Sequence, residues 1–271
     1  MSEFNPYQQP QSPIVTEKAL DDLVLHAPVR RGIGNGFRWL SDAWGIFVKN
    51  PGLWIGGVFL LWLVGVAAGS IPFLGIIIGV VINPLIYAGV YIMARNSDYG
   101  LSLRFEDFFA GFQSRVGTLI ALGIVSFGGM LAVLAVSGLL FWGVLGSESS
   151  QLLQSITDME AGKMPDAAAL NMFVSVMSIA LVAVVLFFLY AATVWFAVPL
   201  IALDENMTIG RALKWSFMGC FKNAIPMTLY SILMMLILVA AMVPLLLGLL
   251  IAMPLILISI YTSFHDIYVR P

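Results

Sequence analysis

Leu181-Val182-Ala183-Val184-Val185-Leu186-Phe187-Phe188-Leu189 carries no polar side chain at any position. A strand of a membrane barrel alternates apolar and polar residues over segments of roughly ten, and this run does not alternate. In hydrocarbon every backbone N–H and C=O has to be satisfied within the protein, which a single helix does alone. The run therefore reads as the middle of a transmembrane helix.

The same reading extends outward. The stretches 50–94, 116–147, 167–203 and 223–264 contain no acidic or basic side chain. One crossing takes about 20 apolar residues as a helix, so two of these stretches hold two crossings each and two hold one. Of the 271 residues 60% are apolar and 10% charged, against roughly 25% charged in a soluble domain. The fold class expected is all-α: a polytopic bundle of six transmembrane helices, with spans about 52–69, 72–94, 117–145, 171–203, 226–243 and 247–264.

Charge orients the bundle. Lys163 lies between the third and fourth spans, in a loop with Glu148, Asp158, Glu160 and Asp166. The other twelve of the 13 basic residues fall in the N-terminal region, in Arg95 to Arg115, in Arg211 to Lys222 and at Arg270. Six crossings put those four regions on one face, and the positive-inside rule makes that face cytoplasmic. The expected location is a bacterial inner membrane with both termini in the cytoplasm. Cys220, the only cysteine, rules out an internal disulfide and reads as a small apolar filler.

Residues 1–33 read as a disordered cytoplasmic tail, with the Pro-rich, polar stretch Asn5 to Pro13 at its centre. No apolar segment there suits a cleavable signal. The membrane domain is set at 34–268. Phe37, Leu40, Trp44 and Phe47 recur at helical spacing and mark a first interfacial amphipathic helix. Phe105, Phe108, Phe109 and Phe112 mark a second, with Ser102 as N-cap and Glu106 and Asp107 in its first turn. Ile209, Leu213, Phe217 and Phe221 mark a third. Each precedes two spans, so the chain reads as three repeats of interfacial helix plus hairpin. The second span of each unit carries Pro-Leu-Ile, at Pro84, Pro199 and Pro254. A proline in a helix removes a backbone bond and clashes with the carbonyl four residues back, so these three are expected to kink their spans at equivalent depths and to splay open a vestibule.

Catalytic and metal motifs are not found, and neither an enzyme nor a cofactor is expected. His265-Asp266 reads as a surface pair capping the last helix. Asn83 beside Pro84 is the candidate for a polar path, along with Ser126, Ser175 and Thr193; its structural alternative is helix glue at a kink. Candidate contacts to anionic lipid headgroups are Arg38, Lys49, Arg104, Arg115, Arg211, Lys214 and Lys222, since basic residues near such a surface each contribute about 1 kcal/mol. Gly65-x3-Gly69 and Gly75-x3-Gly79 fit close helix approach, within the chain or in a homodimer. The partners expected are the lipid bilayer and membrane proteins, not nucleic acid.

Phe37-Arg38-Trp39-Leu40, Phe47-Val48-Lys49-Asn50-Pro51-Gly52-Leu53-Trp54, Ile71-Pro72-Phe73-Leu74-Gly75, Phe105 to Phe112 and Tyr261-Thr262-Ser263-Phe264-His265-Asp266 together resemble a poorly characterised family of proteobacterial six-span inner-membrane proteins. The resemblance covers about 34–268. More distantly, the plan is similar to the membrane domain of glycerophosphodiester phosphodiesterases, which implies a non-catalytic role in the membrane. The leading functional expectation is a non-enzymatic protein that organises lipids or protein partners. The alternative is a passive transporter or channel for a small neutral or amphiphilic solute.

Overall fold

The computed structural model describes residues 24–71, 74–160, 162 and 167–270. Every regular element among them is a helix: α1 Asn35–Phe47, α2 Pro51–Gly69, α3 Leu74–Val81, α4 Asn83–Asp98, a 3₁₀ helix Phe105–Phe112, α5 Val116–Glu160, α6 Ala167–Val194, α7 Ala197–Ala202, α8 Ile209–Lys222, α9 Ala224–Met242 and α10 Leu249–Tyr268. Five stretches are long and apolar enough to cross a membrane: Ile78–Asp98, Val116–Val144, Leu170–Ala202, α9 and α10. A sixth follows if α1 and α2, bent by 101° at Val48 to Asn50, count as one broken span.

Three hairpins organise these helices. Lys49 Nζ, just before α2, donates to the carbonyl of Ser97 at the end of α4, 2.9 Å away. Arg115, just before α5, donates to the Asp204 carbonyl beyond α7 at 2.7 Å. Tyr268, ending α10, donates to the Trp215 carbonyl in α8 at 2.8 Å. Each hairpin thus leaves from and returns to one end of the molecule. That end holds basic residues from all four regions identified in the sequence, and we refer to it as the basic end.

The breaks in the second limbs have specific partners. Pro84 stands in the first turn of α4, where its lack of an N–H costs least, and leaves the Val80 carbonyl without its helical donor. Gly123 of α5 lies so close that a methyl group there would overlap this carbonyl and touch the Pro84 ring. Between α6 and α7 the inserted group is Ser216: its Oγ accepts from Phe196 N at 2.9 Å and donates to the Ala192 carbonyl at 2.8 Å. It replaces one rung of the helical ladder, a recognised cause of a kink.

Several expectations are corrected here. The prolines do not share one depth: Pro84 and Pro254 stand fourteen residues before the ends of their helices, at Asp98 and Tyr268, but Pro199 stands three before Ala202. Only Pro254 lies inside a continuous helix; Pro84 and Pro199 follow breaks. The second interfacial element is a 3₁₀ helix capped by Asp107, whose carboxylate accepts the Arg104 N–H at 2.6 Å, and not an α-helix capped by Ser102. Three residues per turn align Phe105, Phe108 and Gly111 on one face and Phe109 and Phe112 on another. On the first face Phe108 is buried, its ring 5.9 Å from that of Trp54 in α2, and Gly111 lies against the Leu85 carbonyl of α4. Beyond the third span the helix runs on to Glu160 and so takes in Gln151–Met159, the part of the following loop whose sequence also reads as helical.

The N-terminal boundary also moves. Residues 24–33 are laid along the end of α10: His26 N donates to the Tyr268 carbonyl and Val29 N to that of Ile267. Residues 1–23, Pro72 and Phe73, and Lys163 to Asp166 lie outside the described residues.

Candidate functional site

Three features of the fold are candidates for function: a buried polar clasp, an apolar cleft and a basic pocket.

The clasp is at the basic end. Residues Tyr261 to Tyr268 of α10 are all buried, covered by α1 on one side and by residues 24–33 on another. Asp266 is 3% exposed. Its Oδ2 accepts from Trp39 Nε1 at 2.9 Å, and its Oδ1 lies 3.6 Å from Arg31 Nε. Arg31 also donates to the Asp266 and Arg270 carbonyls. Asn223, fully buried, accepts from Arg31 N at 2.7 Å and donates to Val29 O and Gly219 O. Thr262 donates to the Trp39 carbonyl. On the far side of α10, Tyr99 and His265 share a hydrogen bond of 3.2 Å and Tyr261 donates to Asp98 at 3.1 Å. Burial pushes the Tyr99 phenol up from its ordinary value, with the Asp98 carboxylate adding to the shift.

These groups satisfy one another, as buried polar groups must. The expectation of an exposed His265-Asp266 pair is therefore corrected: 24–33, separated from them by more than 230 positions in the chain, folds over them. Cys220 sits nearby and is buried. Burial pushes its thiol up to about 12, which leaves it protonated and unreactive at neutral pH.

The cleft lies between α4, α5, α6 and α10 and has a volume of about 620 Å³. Asn83, Tyr87, Ser126, Tyr190 and Trp195 are among its lining residues, and most of the rest are apolar. Ile76, Asn83, Tyr87 and Phe127 are exposed at its mouth. Of the four residues expected to line a polar path, Asn83 and Ser126 meet here, while Ser175 and Thr193 are not among the lining residues. Thr193 donates to the Leu189 carbonyl of its own helix, and the Ser126 carbonyl accepts from Tyr190 at 2.8 Å. Thr193 and Tyr190 are thus bonded to nearby backbone, whereas the buried Trp195 Nε1 of the cleft wall meets no hydrogen-bond acceptor among the described residues. Pro84 forms part of the wall; Pro199 and Pro254 are buried elsewhere.

The seven basic candidates separate into three kinds. Arg38 and Arg104 pair with Asp42 at 3.7 Å and Glu106 at 2.7 Å. Lys49, Arg115 and Lys222 donate to backbone carbonyls, of Ser97, Asp204 and Pro28. Arg115 is thereby a tie between the ends of a hairpin. The side chains of Arg211 and Lys214 are exposed on α8. Lys222 also borders the third feature, a pocket of about 750 Å³ with Arg30, Arg31, Ile33, Phe221 and Ile225.

Sequence reasoning missed Trp39 and Asn223 and read Arg31 only as one of the basic residues gathered at the first interface, not as a partner of Asp266. The one available signal was the Arg30-Arg31 pair itself, two adjacent basic residues just before the first helix. Comparison with protein-family models, curated proteins and solved structures found no match, so the resemblance noted above rests on the quoted residues alone.

Proposed function

We propose that this chain is a non-catalytic protein of the bacterial inner membrane, crossing it six times with both termini in the cytoplasm, and that it organises lipid by seating an apolar chain in the cleft between α4, α5, α6 and α10. The observation that carries this reading is the cleft itself. Its volume of about 620 Å³ falls in the range of small-molecule sites, roughly 300–1,000 Å³. Its wall is mostly apolar, and its mouth is flanked by the uncovered apolar faces of helices long enough to span a bilayer. A lipid tail fits those properties better than a hydrated solute. The return of three hairpins to one basic end supports the six-crossing topology, since basic residues are retained on the cytoplasmic side.

The test uses the full chain in proteoliposomes with a phospholipid carrying a photoreactive acyl chain. Adducts are expected on Tyr87, Phe127 and Met130 of the cleft, well above those on Leu181 and Val185 of the lipid-facing side of α6. Uniform labelling of both sets would contradict the proposal. The alternative, a passive path for a small neutral solute, is favoured by Asn83 at the mouth. It requires glycerol flux above that of empty liposomes and loss of that flux in Asn83→Leu.

A further inference from the structure

We infer that the pocket between residues 30–33, the end of α8 and the start of α9 is a seat for the headgroup of an anionic phospholipid. Arg30 and Lys222 supply its charge. Arg30 is exposed, and among the described residues its guanidinium meets no carboxylate and no hydrogen-bond acceptor. Lys222 uses one of its three ammonium protons on the Pro28 carbonyl. Arg31, turned toward Asp266, adds to the positive field from behind. No acidic side chain lines the pocket.

The remaining wall is of the opposite character. Ile33, Phe221 and Ile225 are 60%, 55% and 58% exposed, and they stand where α9, apolar and long enough to span, begins. A pocket with cations on one side and uncovered apolar side chains on the other matches an amphiphile: phosphate toward Arg30 and Lys222, acyl chains along Phe221 and Ile225. A free phosphate ion would leave the apolar wall unused. Arg30 and Lys222 approach each other only because 24–33 folds back onto α8 through the Asn223 bonds to Val29 and Arg31. The seat therefore exists only in the clasped form of the N-terminal segment.

This inference rests on the chain being membrane-embedded, and the experiment separates the two. Full-length protein is first floated with liposomes; failure to float would count against the membrane reading. Protein that floats is then titrated in detergent with phosphatidylglycerol and phosphatidylcholine, and bound lipid is counted by native mass spectrometry. Wild type is expected to retain phosphatidylglycerol about thirtyfold more tightly, the contribution of two basic residues at a lipid surface. Arg30→Gln with Lys222→Gln should bring the two lipids level. Arg38→Gln with Arg104→Gln, the same charge change at two residues outside the pocket that are already paired with Asp42 and Glu106, should leave the preference intact. If the first pair impairs folding, Arg30→Gln alone, which removes no internal bond, should still lower the preference severalfold. Equal retention of both lipids by wild type, or equal losses in both double variants, would overturn the inference. So would complete displacement of phosphatidylglycerol by inorganic phosphate, which would make the pocket an anion site and not a lipid seat.

Discussion

Asp266 is a buried acid at the centre of the clasp. Its carboxylate is almost fully buried, with Trp39 on one oxygen and Arg31 on the other. Removing one partner of a buried pair strands the other charge away from water, at a cost of about 3 kcal/mol or more. Arg31→Gln should therefore lower the thermal unfolding midpoint in detergent more than Asp266→Asn. In the second variant Arg31 keeps its two carbonyl acceptors, whereas the first leaves a carboxylate held by Trp39 alone. Arg38→Gln is the contrast. Its partner Asp42 is 34% exposed and Arg38 56%, so this surface pair contributes well under 1 kcal/mol. A midpoint for Arg31→Gln no lower than that for Arg38→Gln would show that the clasp does not hold the fold.

At the scale of elements, the 3₁₀ helix separates two neighbouring phenylalanines that helical periodicity treats as equals. Phe108 is 2% exposed, pressed against Gly57 and Trp54, while Phe109 is 42% exposed. Phe108→Ala should destabilise the protein by roughly 3–5 kcal/mol through the cavity it leaves, and Phe109→Ala by far less. Chemical denaturation curves in one detergent would compare them, and similar losses would mean that the element packs by its other face. The same distinction explains what was legible beforehand. The apolar runs located the five stretches long and apolar enough to cross a membrane to within about six residues, because avoidance of water is written in composition. They did not show which apolar face meets protein and which meets lipid, since both are free of water. In α1 the expected stripe of Phe37, Leu40, Trp44 and Phe47 is only half buried: Phe37 and Trp44 are largely exposed, and Trp39, Ala43 and Ile46 complete the packed face. The cleft was partly legible through Asn83 and Ser126. The clasp and the basic pocket were not, because they depend on 24–33 meeting residues near 223 and 266, a long-range pairing with no local signature.

For the whole molecule, the arrangement of three hairpins on one basic end makes a sharp statement about sidedness. The ties Lys49 to Ser97, Arg115 to Asp204 and Tyr268 to Trp215 each join the entry and exit of a hairpin, so the segments before and after every hairpin share one side if the bundle spans a bilayer. The far end of α5, reaching Glu160, must then lie on the other. Single cysteines at Asn206 and Gln154, both exposed, report the two ends. Ser97, at 2% exposure, would be a poor reporter. The native Cys220 can stay in place, because its thiol is buried and pushed up to about 12 and so has almost no thiolate at the labelling pH. In intact cells an impermeant maleimide should modify Gln154→Cys and spare Asn206→Cys, and lysis should expose the second. Labelling of both in intact cells would place an even number of crossings between them and break the middle hairpin. Labelling of Asn206→Cys alone would keep the hairpin and invert the protein, contrary to the bias of its basic residues.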